Sequence, residues 1–153
     1  MKRITISLKS ISLILVLIIT LVSCDESRDN SVEFTLNGTK KIIDQNISFD
    51  GWFKCTWERS NETFTIETTY PYSDGIILTE KDHPKFDVIY NNGSTIYSVD
   101  PDQSGSFSIQ FEHFNGLWGH AEGTFSGTLY DSEGNSIVLT DGSFFYDDPD
   151  NLQ

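Results

Sequence analysis

The sequence predicts an all-β protein: a single antiparallel β-sandwich, with a β-barrel as the alternative, behind an N-terminal signal peptide. Three observations support this fold class. From Val32 onward, apolar and polar residues alternate with a period of two. Pairs of Asn, Asp, Ser or Glu with Gly interrupt the chain at short intervals, as turns do. No long segment carries the apolar stripe of a helix, and short strands between regular turns are typical of antiparallel sandwiches and barrels.

Residues 1–23 have the features of a secretory signal peptide. Lys2, Arg3 and Lys9 make a basic start, and an uncharged apolar run follows from Ile11 to Ser23. That run is shorter than the about 20 residues that a membrane-spanning helix needs. We therefore assign residues 1–23 to a signal peptide that takes no part in the fold.

The tetrapeptide LVSC at 21–24 resembles the lipobox of bacterial lipoproteins. The resemblance implies that Cys24 is lipidated, with acyl chains such as palmitate, and becomes the amino terminus after cleavage. Each buried CH₂ contributes about 0.8 kcal/mol, so several acyl chains anchor a protein permanently in a membrane. The chain is thus expected in the cell envelope, anchored to membrane lipid through Cys24, with the outer membrane as the expected location.

The residues that follow the cysteine leave the sorting open. Asp25 directly after the cysteine resembles the enterobacterial signal for retention at the inner membrane. Acidic residues such as Asp25 and Glu26 near the cysteine also resemble the surface-export signal of Bacteroidota lipoproteins. The periplasmic and the surface-exposed face therefore both stay open.

The exported part is strongly acidic. Residues 1–23 hold three of the ten basic residues and none of the acidic ones. Residues 24–153 therefore contain seven basic and 23 acidic side chains, and their formal charge is −16. Such a surface repels phosphates, which argues against a nucleic-acid partner. We interpret residues 24–31 as a polar tether, 32–147 as the β-sandwich domain and 148–153 as an acidic tail.

Alternation within three segments assigns a set of side chains to the core. The predicted inward residues are Phe53, Cys55, Trp57, Phe64, Ile66, Tyr70, Phe107, Ile109 and Phe111. On this pattern Cys55 is a small buried hydrophobe and not a reactive thiol. His113 continues the apolar face of its strand, where a structural histidine is usual.

The C-terminal segment 121–146 predicts a meander of three strands, with turns at 131–135 and 141–142. Within it, GTFSGTLYDSEGNSIVLTDGSF (123–144) resembles the closing motif of small Bacteroidota lipoproteins of uncharacterised function. The segment EFTLNG (33–38) is similar to the first strand of those proteins. The resemblance implies a β-sandwich and transfers no functional site, because glycines, threonines and core phenylalanines make up the motif.

One loop has the oxygen spacing of a calcium site. Asp100, Asp102 and Ser104 occupy positions 1, 3 and 5, and Gly105 follows at position 6, as in EF-hand-type loops. Position 12 is Phe111 in place of the bidentate Glu, and the proline at position 2 suits a plain turn equally well. We keep Ca²⁺ as a candidate and expect no other cofactor.

The remaining polar residues give little support for catalysis. His113 and His120, with Glu112 or Glu122, are candidate zinc ligands, but the paired spacing of zinc sites is missing. The sequence contains no nucleophile motif, and its carboxylate pairs fall in turns or in the tail. We therefore expect a protein that is not an enzyme.

Aromatic residues outside the predicted core favour binding. Trp118, Trp52 and Tyr97 are candidate ligand-binding residues, since exposed rings stack on sugar faces. Trp118 lies in a glycine-flanked segment, and the competing interpretation is that it plugs the end of the sandwich. The expected function is a non-enzymatic binding or accessory role in the envelope, with a glycan as a possible ligand. The alternatives are a structural or protein-interaction module of an envelope complex and a toxin-neutralising lipoprotein.

Overall fold

The structure, a computed structural model, describes residues 29–50, 54–69, 73–115 and 119–148. Eleven strands and one turn of 3-10 helix make up this part of the chain. The strands are β1 Ser31–Leu36, β2 Thr39–Ile43, β3 Gln45–Asp50, β4 Lys54–Arg59, β5 Glu62–Thr68, β6 Ile77–Thr79, β7 Phe86–Asn91, β8 Ile96–Ser98, β9 Phe107–Asn115, β10 His120–Tyr130 and β11 Ser136–Asp147. The 3-10 turn, Glu80–Asp82, follows β6.

All strand pairs are antiparallel, and together they form a sheet that nearly closes into a barrel. One layer has the order β6-β9-β10-β11-β1-β2, and the other has the order β8-β7-β5-β4-β3. Strand β10 belongs to both layers, because β9 pairs with it along 120–127 and β8 joins it where Ser98 faces Tyr130. The predicted all-β class is confirmed, and sandwich and barrel both describe the result.

The two layers meet at two boundaries, and β10 forms the first. At the second boundary, which we call the seam, side chains make the contacts. The seam lies between β2 and the β4–β5 hairpin. The Lys41 ammonium lies 2.6 Å from a Glu62 carboxylate oxygen. Arg59 donates a hydrogen bond from Nη1 to the Ile42 carbonyl oxygen at 3.0 Å. Because the neighbouring strands do not pair here, polar side chains satisfy the edge of β2.

The core consists largely of aromatic and branched aliphatic side chains. Seven of the predicted inward residues are buried, namely Cys55, Trp57, Phe64, Ile66, Phe107, Ile109 and Phe111, whereas Phe53 and Tyr70 lie outside the described residues. Rings pack in contact, as where Phe64 and Phe125 stack with centroids 5.0 Å apart. Cys55 is free and buried, as predicted, and burial raises the pKa of its thiol, which disfavours the nucleophilic thiolate.

The predicted three-strand meander at the C-terminus is wrong. The turn at 131–135 is present, but β11 continues through Asp141 and Gly142 to Asp147 as one strand. Asp141 has a φ of 52° and sits in an irregularity of the pairing with both β10 and β1. A β-bulge absorbs the extra residue here, so the Asp-Gly pair bends a strand and does not reverse it.

Glycines permit the close packing of this hairpin. A Cβ on Gly142 would lie less than 3.0 Å from the ring and the carbonyl oxygen of Phe125. A Cβ on Gly123 would collide in the same way with the Gln110 carbonyl oxygen and the Phe144 ring. Gly123 and Gly142 of the C-terminal motif thus leave space for core phenylalanines.

His113 does not continue the apolar face of β9, which corrects the sequence prediction. The pairing of β9 with β10 shifts between Glu122 and Gly123, so one extra residue of β9 is accommodated. After this shift Phe114 enters the core, and the side chain of His113 is 63% exposed. The Asp74 carboxylate accepts a hydrogen bond from the Phe114 amide at 2.8 Å beside the bulge.

The two ends of the barrel differ. The registers of the strand pairs place four turns at one end, namely β1–β2, β4–β5, β7–β8 and β10–β11. We call this the hairpin end. The start of β1 and the end of β11 lie at the opposite end. There Asn30 donates from Nδ2 to the Asp147 carbonyl oxygen at 2.9 Å, and the Asp147 amide donates to Asn30 Oδ1 at 2.7 Å. This reciprocal pair fixes the start of β1 to the end of β11.

Candidate functional site

A groove of about 870 Å³ opens at the hairpin end. One wall is the segment 94–101, which includes β8, and the other consists of residues 130–133 and Asn135. The groove forms where β8 leaves β10 after the single pair of Ser98 with Tyr130. Its size is within the about 300–1,000 Å³ of small-molecule sites, and it is our candidate binding site.

Two tyrosines, one from each wall, contribute to the lining of this groove. Tyr97 pairs with Tyr90 in the register of β7 and β8, and its partly buried side chain packs against the core. Tyr130 ends β10 and is also half-buried. Ile96, beside them, is 61% exposed. The groove therefore offers aromatic and aliphatic surface that is held in place by the sheet.

Hydrogen-bonded turns make the second wall rigid. Asp131 accepts hydrogen bonds through Oδ1 from the Glu133 amide at 2.9 Å and the Asn135 amide at 2.8 Å. Asn135 also donates from Nδ2 to Asp131 Oδ2 at 2.9 Å. The side-chain bond from Asn135, with the backbone amides, lowers the pKa of Asp131 despite some desolvation. Asp131 stays a carboxylate and orders its turn before any ligand arrives.

A buried acid holds the far end of the loop that follows the first wall. The Asp100 Oδ1 accepts a hydrogen bond from the Asp102 amide at 2.9 Å, which starts the loop that leaves β8. At the end of this loop Glu80, which is 1% exposed, accepts hydrogen bonds from the amides of Gly105 and Phe107. Burial opposes ionisation of Glu80, but these backbone donors outweigh it and lower its pKa.

Only some of the residues predicted from sequence lie at this groove. Tyr97 and Asp100 line it, whereas Asp102 and Ser104 are exposed farther along the loop. Cys24, Trp52 and Trp118 lie outside the described residues. Tyr130, Asp131 and Glu133 were not predicted as site residues. A Tyr at the end of a strand directly before an acidic, glycine-containing turn was the available signal.

His113 and His120 lie away from the groove and beside acids. His113 Nδ1 is 3.7 Å from Asp74 Oδ2, and its Nε2 is 3.7 Å from Glu122 Oε1. His120 Nδ1 is 3.4 Å from Asp147 Oδ1. Within ranges 29–50, 54–69, 73–115 and 119–148, no group of three or more His, Cys, Asp or Glu side chains is arranged to hold a metal ion. Zinc at these histidines and calcium at 100–105 therefore gain no support from the geometry.

A second concave surface lies on the outer face of β9, β10 and β11. It has a volume of about 700 Å³ and carries mainly small polar side chains, among them Ser108, Thr124 and Ser143. Its only aromatic lining residue among the described ones is Phe125, which is buried in the core. The groove with two tyrosines is the better candidate, because ring faces contribute most to sugar binding.

Comparisons of the chain with protein-family models, curated protein sequences and solved structures find no match. In the part of the chain that the structure describes, no helix has the length and apolar character needed to cross a bilayer. The groove must therefore be interpreted from its own chemistry.

Proposed function

We propose that this protein is a lipid-anchored lipoprotein of the cell envelope, related to the small Bacteroidota lipoproteins, that binds carbohydrate without catalysing a reaction. The anchor is the predicted acylated Cys24, and the outer membrane is the proposed location. The observation that carries the binding proposal is the pair of tyrosines, Tyr97 and Tyr130, in a preorganised groove. Binding there orients a saccharide for an envelope process such as nutrient capture.

The chemistry of the lining suits a hydroxylated ligand. The tyrosine rings supply flat apolar faces, against which the C–H faces of sugar rings pack. Hydroxyl and amide side chains, including Ser98, Ser132 and Asn135, surround the rings and can hydrogen-bond sugar hydroxyls. Because the turns on both sides are already hydrogen-bonded, little ordering cost opposes binding.

Tyr130→Ala tests the proposal with a glycan array and calorimetry on the detergent-solubilised full chain. We expect affinity for a bound glycan to fall about tenfold or more, since loss of an aromatic contact worth over about 1.4 kcal/mol has that effect. Tyr97→Phe, which keeps the ring and its packing, should bind much more tightly than Tyr97→Ala. Ile77→Ala, at an exposed residue outside the groove, is the control. Unchanged binding by Tyr130→Ala would place the site elsewhere.

The second candidate function is a protein-interaction module, which includes a toxin-neutralising role. The 61% exposure of Ile96 inside the groove favours it, because partly exposed aliphatic residues beside tyrosines are common at protein interfaces. A pull-down from solubilised envelope, with Ile96→Ser as the comparison, distinguishes the two. A single envelope protein that is lost with Ile96→Ser, together with an empty glycan array, would favour this candidate.

A further inference from the structure

We propose that the groove selects a saccharide that carries protonated amino groups over the same saccharide in neutral form. The inference rests on the proposed carbohydrate binding and adds the ligand's charge. It is carried by the acidic side chains that both walls bring to the two tyrosines.

Carboxylates line the groove from both sides. Asp100 belongs to the first wall, and Asp131 and Glu133 belong to the second. None of the residues described as lining it is Lys, Arg or His. A cleft lined by one sign of charge concentrates the field in its interior and attracts the opposite charge.

The three acids differ in how far hydrogen bonds already occupy them. Hydrogen bonds from Asn135 and from backbone amides hold the pKa of Asp131 below its ordinary range. Asp100 uses Oδ1 for the Asp102 amide and leaves its second oxygen for other contacts. The exposed Glu133 side chain makes no ion pair with a described residue. Glu133 is therefore the acid that is free to meet a ligand.

Most of the described basic residues pair with acids outside the groove. The described ranges contain six Lys and Arg residues, and four of them lie within 4.0 Å of an acid outside the groove. Lys40 pairs with Glu33 at 2.7 Å, and Lys41 pairs with Glu62 at 2.6 Å. The groove therefore keeps its negative charge, and a sulfated or carboxylated glycan would meet repulsion.

The tyrosines reinforce the same preference. An ammonium placed over the face of a Tyr ring gains about 0.5–1 kcal/mol at an exposed site, in addition to its attraction to a carboxylate. The hydroxyl-rich lining favours a sugar over a basic peptide, since serine, threonine and asparagine side chains such as Thr95 and Asn135 match ligand hydroxyls. An amino sugar can contact all three features of the groove, namely its carboxylates, its tyrosine rings and its hydroxyl-rich lining.

A matched pair of ligands tests the inference. Calorimetry on the detergent-solubilised full chain compares a glucosamine hexamer with the fully N-acetylated hexamer, at a pH where the free amines are protonated. The two share one backbone and differ in charge. We expect the glucosamine hexamer to bind about tenfold or more tightly, and its affinity to fall as salt rises, because screening acts on exposed charges.

Charge-neutral variants locate the effect. Glu133→Gln should lower affinity for the glucosamine hexamer about three- to tenfold and leave the acetylated hexamer unaffected, as expected for loss of one charge contact. Glu58→Gln removes an exposed acid that does not line the groove and should change neither affinity. Tyr130→Ala should weaken both ligands.

The possible results have distinct meanings. Equal affinity for the two hexamers would overturn the charge inference and leave carbohydrate binding in place. Preference for a sulfated or carboxylated glycan on the array would likewise overturn it. Failure of every glycan to bind would remove the proposed function itself. Equally tight binding of hexalysine, insensitive to Tyr130→Ala, would show that the groove attracts cations without recognising sugars, and would also overturn the inference.

Discussion

At the scale of the residue, Glu80 shows why a buried acid is tolerated. Its carboxylate is nearly inaccessible, yet it accepts hydrogen bonds from the amides of Gly105 and Phe107, and the buried Phe107 amide would otherwise lack a partner. An ionised group in such a place must be satisfied, because an unpaired buried charge costs several kcal/mol. Glu80 thereby ties the loop after β8 to the 3-10 turn.

Replacement of Glu80 with Gln should destabilise the protein by about 2 kcal/mol, since hydrogen bonds to a charged group contribute about 1.5–3 kcal/mol and the amide has only one acceptor oxygen. Urea denaturation at pH 7 measures this loss. The exposed Glu58→Gln is the control, with an expected change within about 0.5 kcal/mol. A loss as small for Glu80→Gln as for the control would contradict the role assigned to Glu80.

The same carboxylate predicts a pH dependence. The folded pKa of Glu80 lies below its ordinary value of 4.5, so the stability it contributes is fully present above the unfolded pKa. It is lost as the pH falls through the folded pKa. The difference in free energy of unfolding between the wild type and Glu80→Gln should therefore be constant from about pH 6 to about pH 8. It should shrink as the solution becomes acidic. A difference that grew as the pH fell would be the opposite of this linkage.

Comparison of Gly142 with Gly134 distinguishes two reasons why a position holds glycine. One is lack of space for a Cβ, and the other is a positive φ. Gly142→Ala should destabilise the fold by about 1–3 kcal/mol or more, the usual cost of overpacking, because the new Cβ meets Phe125. Gly134→Ala places a Cβ in open space at a φ of 82°, so only backbone strain of about 1 kcal/mol is expected. Thermal unfolding of both variants measures the difference. Equal losses would mean that Phe125 moves aside freely.

At the scale of the element, alternation and turn residues account for most of the strands but not for their irregularities. Asn37-Gly38 forms a turn as predicted, with both residues at positive φ. Asp141-Gly142 is a similar turn-forming pair but lies inside β11, because pairing with β10 and β1 continues on both sides of it. Local chemistry permits a turn or a bulge, and long-range pairing decides which one forms.

The bulge in β9 likewise made the sequence prediction wrong for one side chain. The alternation through Phe107, Ile109 and Phe111 predicted the core correctly, and failed at His113 because one residue is inserted in the pairing. The groove was likewise beyond sequence reasoning. Tyr97 and Tyr130 are far apart in the chain, and only the single Ser98–Tyr130 pair brings their strands together.

The seam should be the weakest boundary of the barrel. Glu62→Gln removes the partner of Lys41 and should cost about 1 kcal/mol, with faster amide hydrogen exchange in β2 than in β10 or β11. Glu67→Gln is a matched control, because the Lys54–Glu67 pair at 2.9 Å is more exposed and lies on a regular strand pair. If β2 exchanged no faster in Glu62→Gln than in Glu67→Gln, the seam would not depend on this ion pair.

At the scale of the whole molecule, the start of the described chain at Asn30 and the groove lie at opposite ends of the barrel. Asn30 meets Asp147 at one end, and Tyr130 lies ten residues along β10 from His120, the partner of Asp147. At about 3.3 Å per strand residue the two ends are about 30 Å apart. The six residues from Cys24 to Asp29 span at most about 20 Å. With the proposed anchor at Cys24, the groove would face away from the membrane.

The anchor itself is testable by metabolic labelling with a palmitate analogue. Cys24→Ser should abolish the label and move the protein from the membrane fraction to the soluble fraction, because the acyl chains provide the attachment. Cys55→Ala, which changes the buried second cysteine, should keep the label. Label retained by Cys24→Ser would refute the lipobox interpretation.

The Asn30–Asp147 pair also has a mechanical consequence. A load applied between a membrane anchor and a ligand in the groove would enter the domain at the start of β1 and act along the strands. Strand β1 is paired on both sides, with β11 and with β2. Such a load shears two ladders of hydrogen bonds at once and does not peel them apart one by one. With the proposed anchor at Cys24, the load would therefore act along the paired strands and not across them.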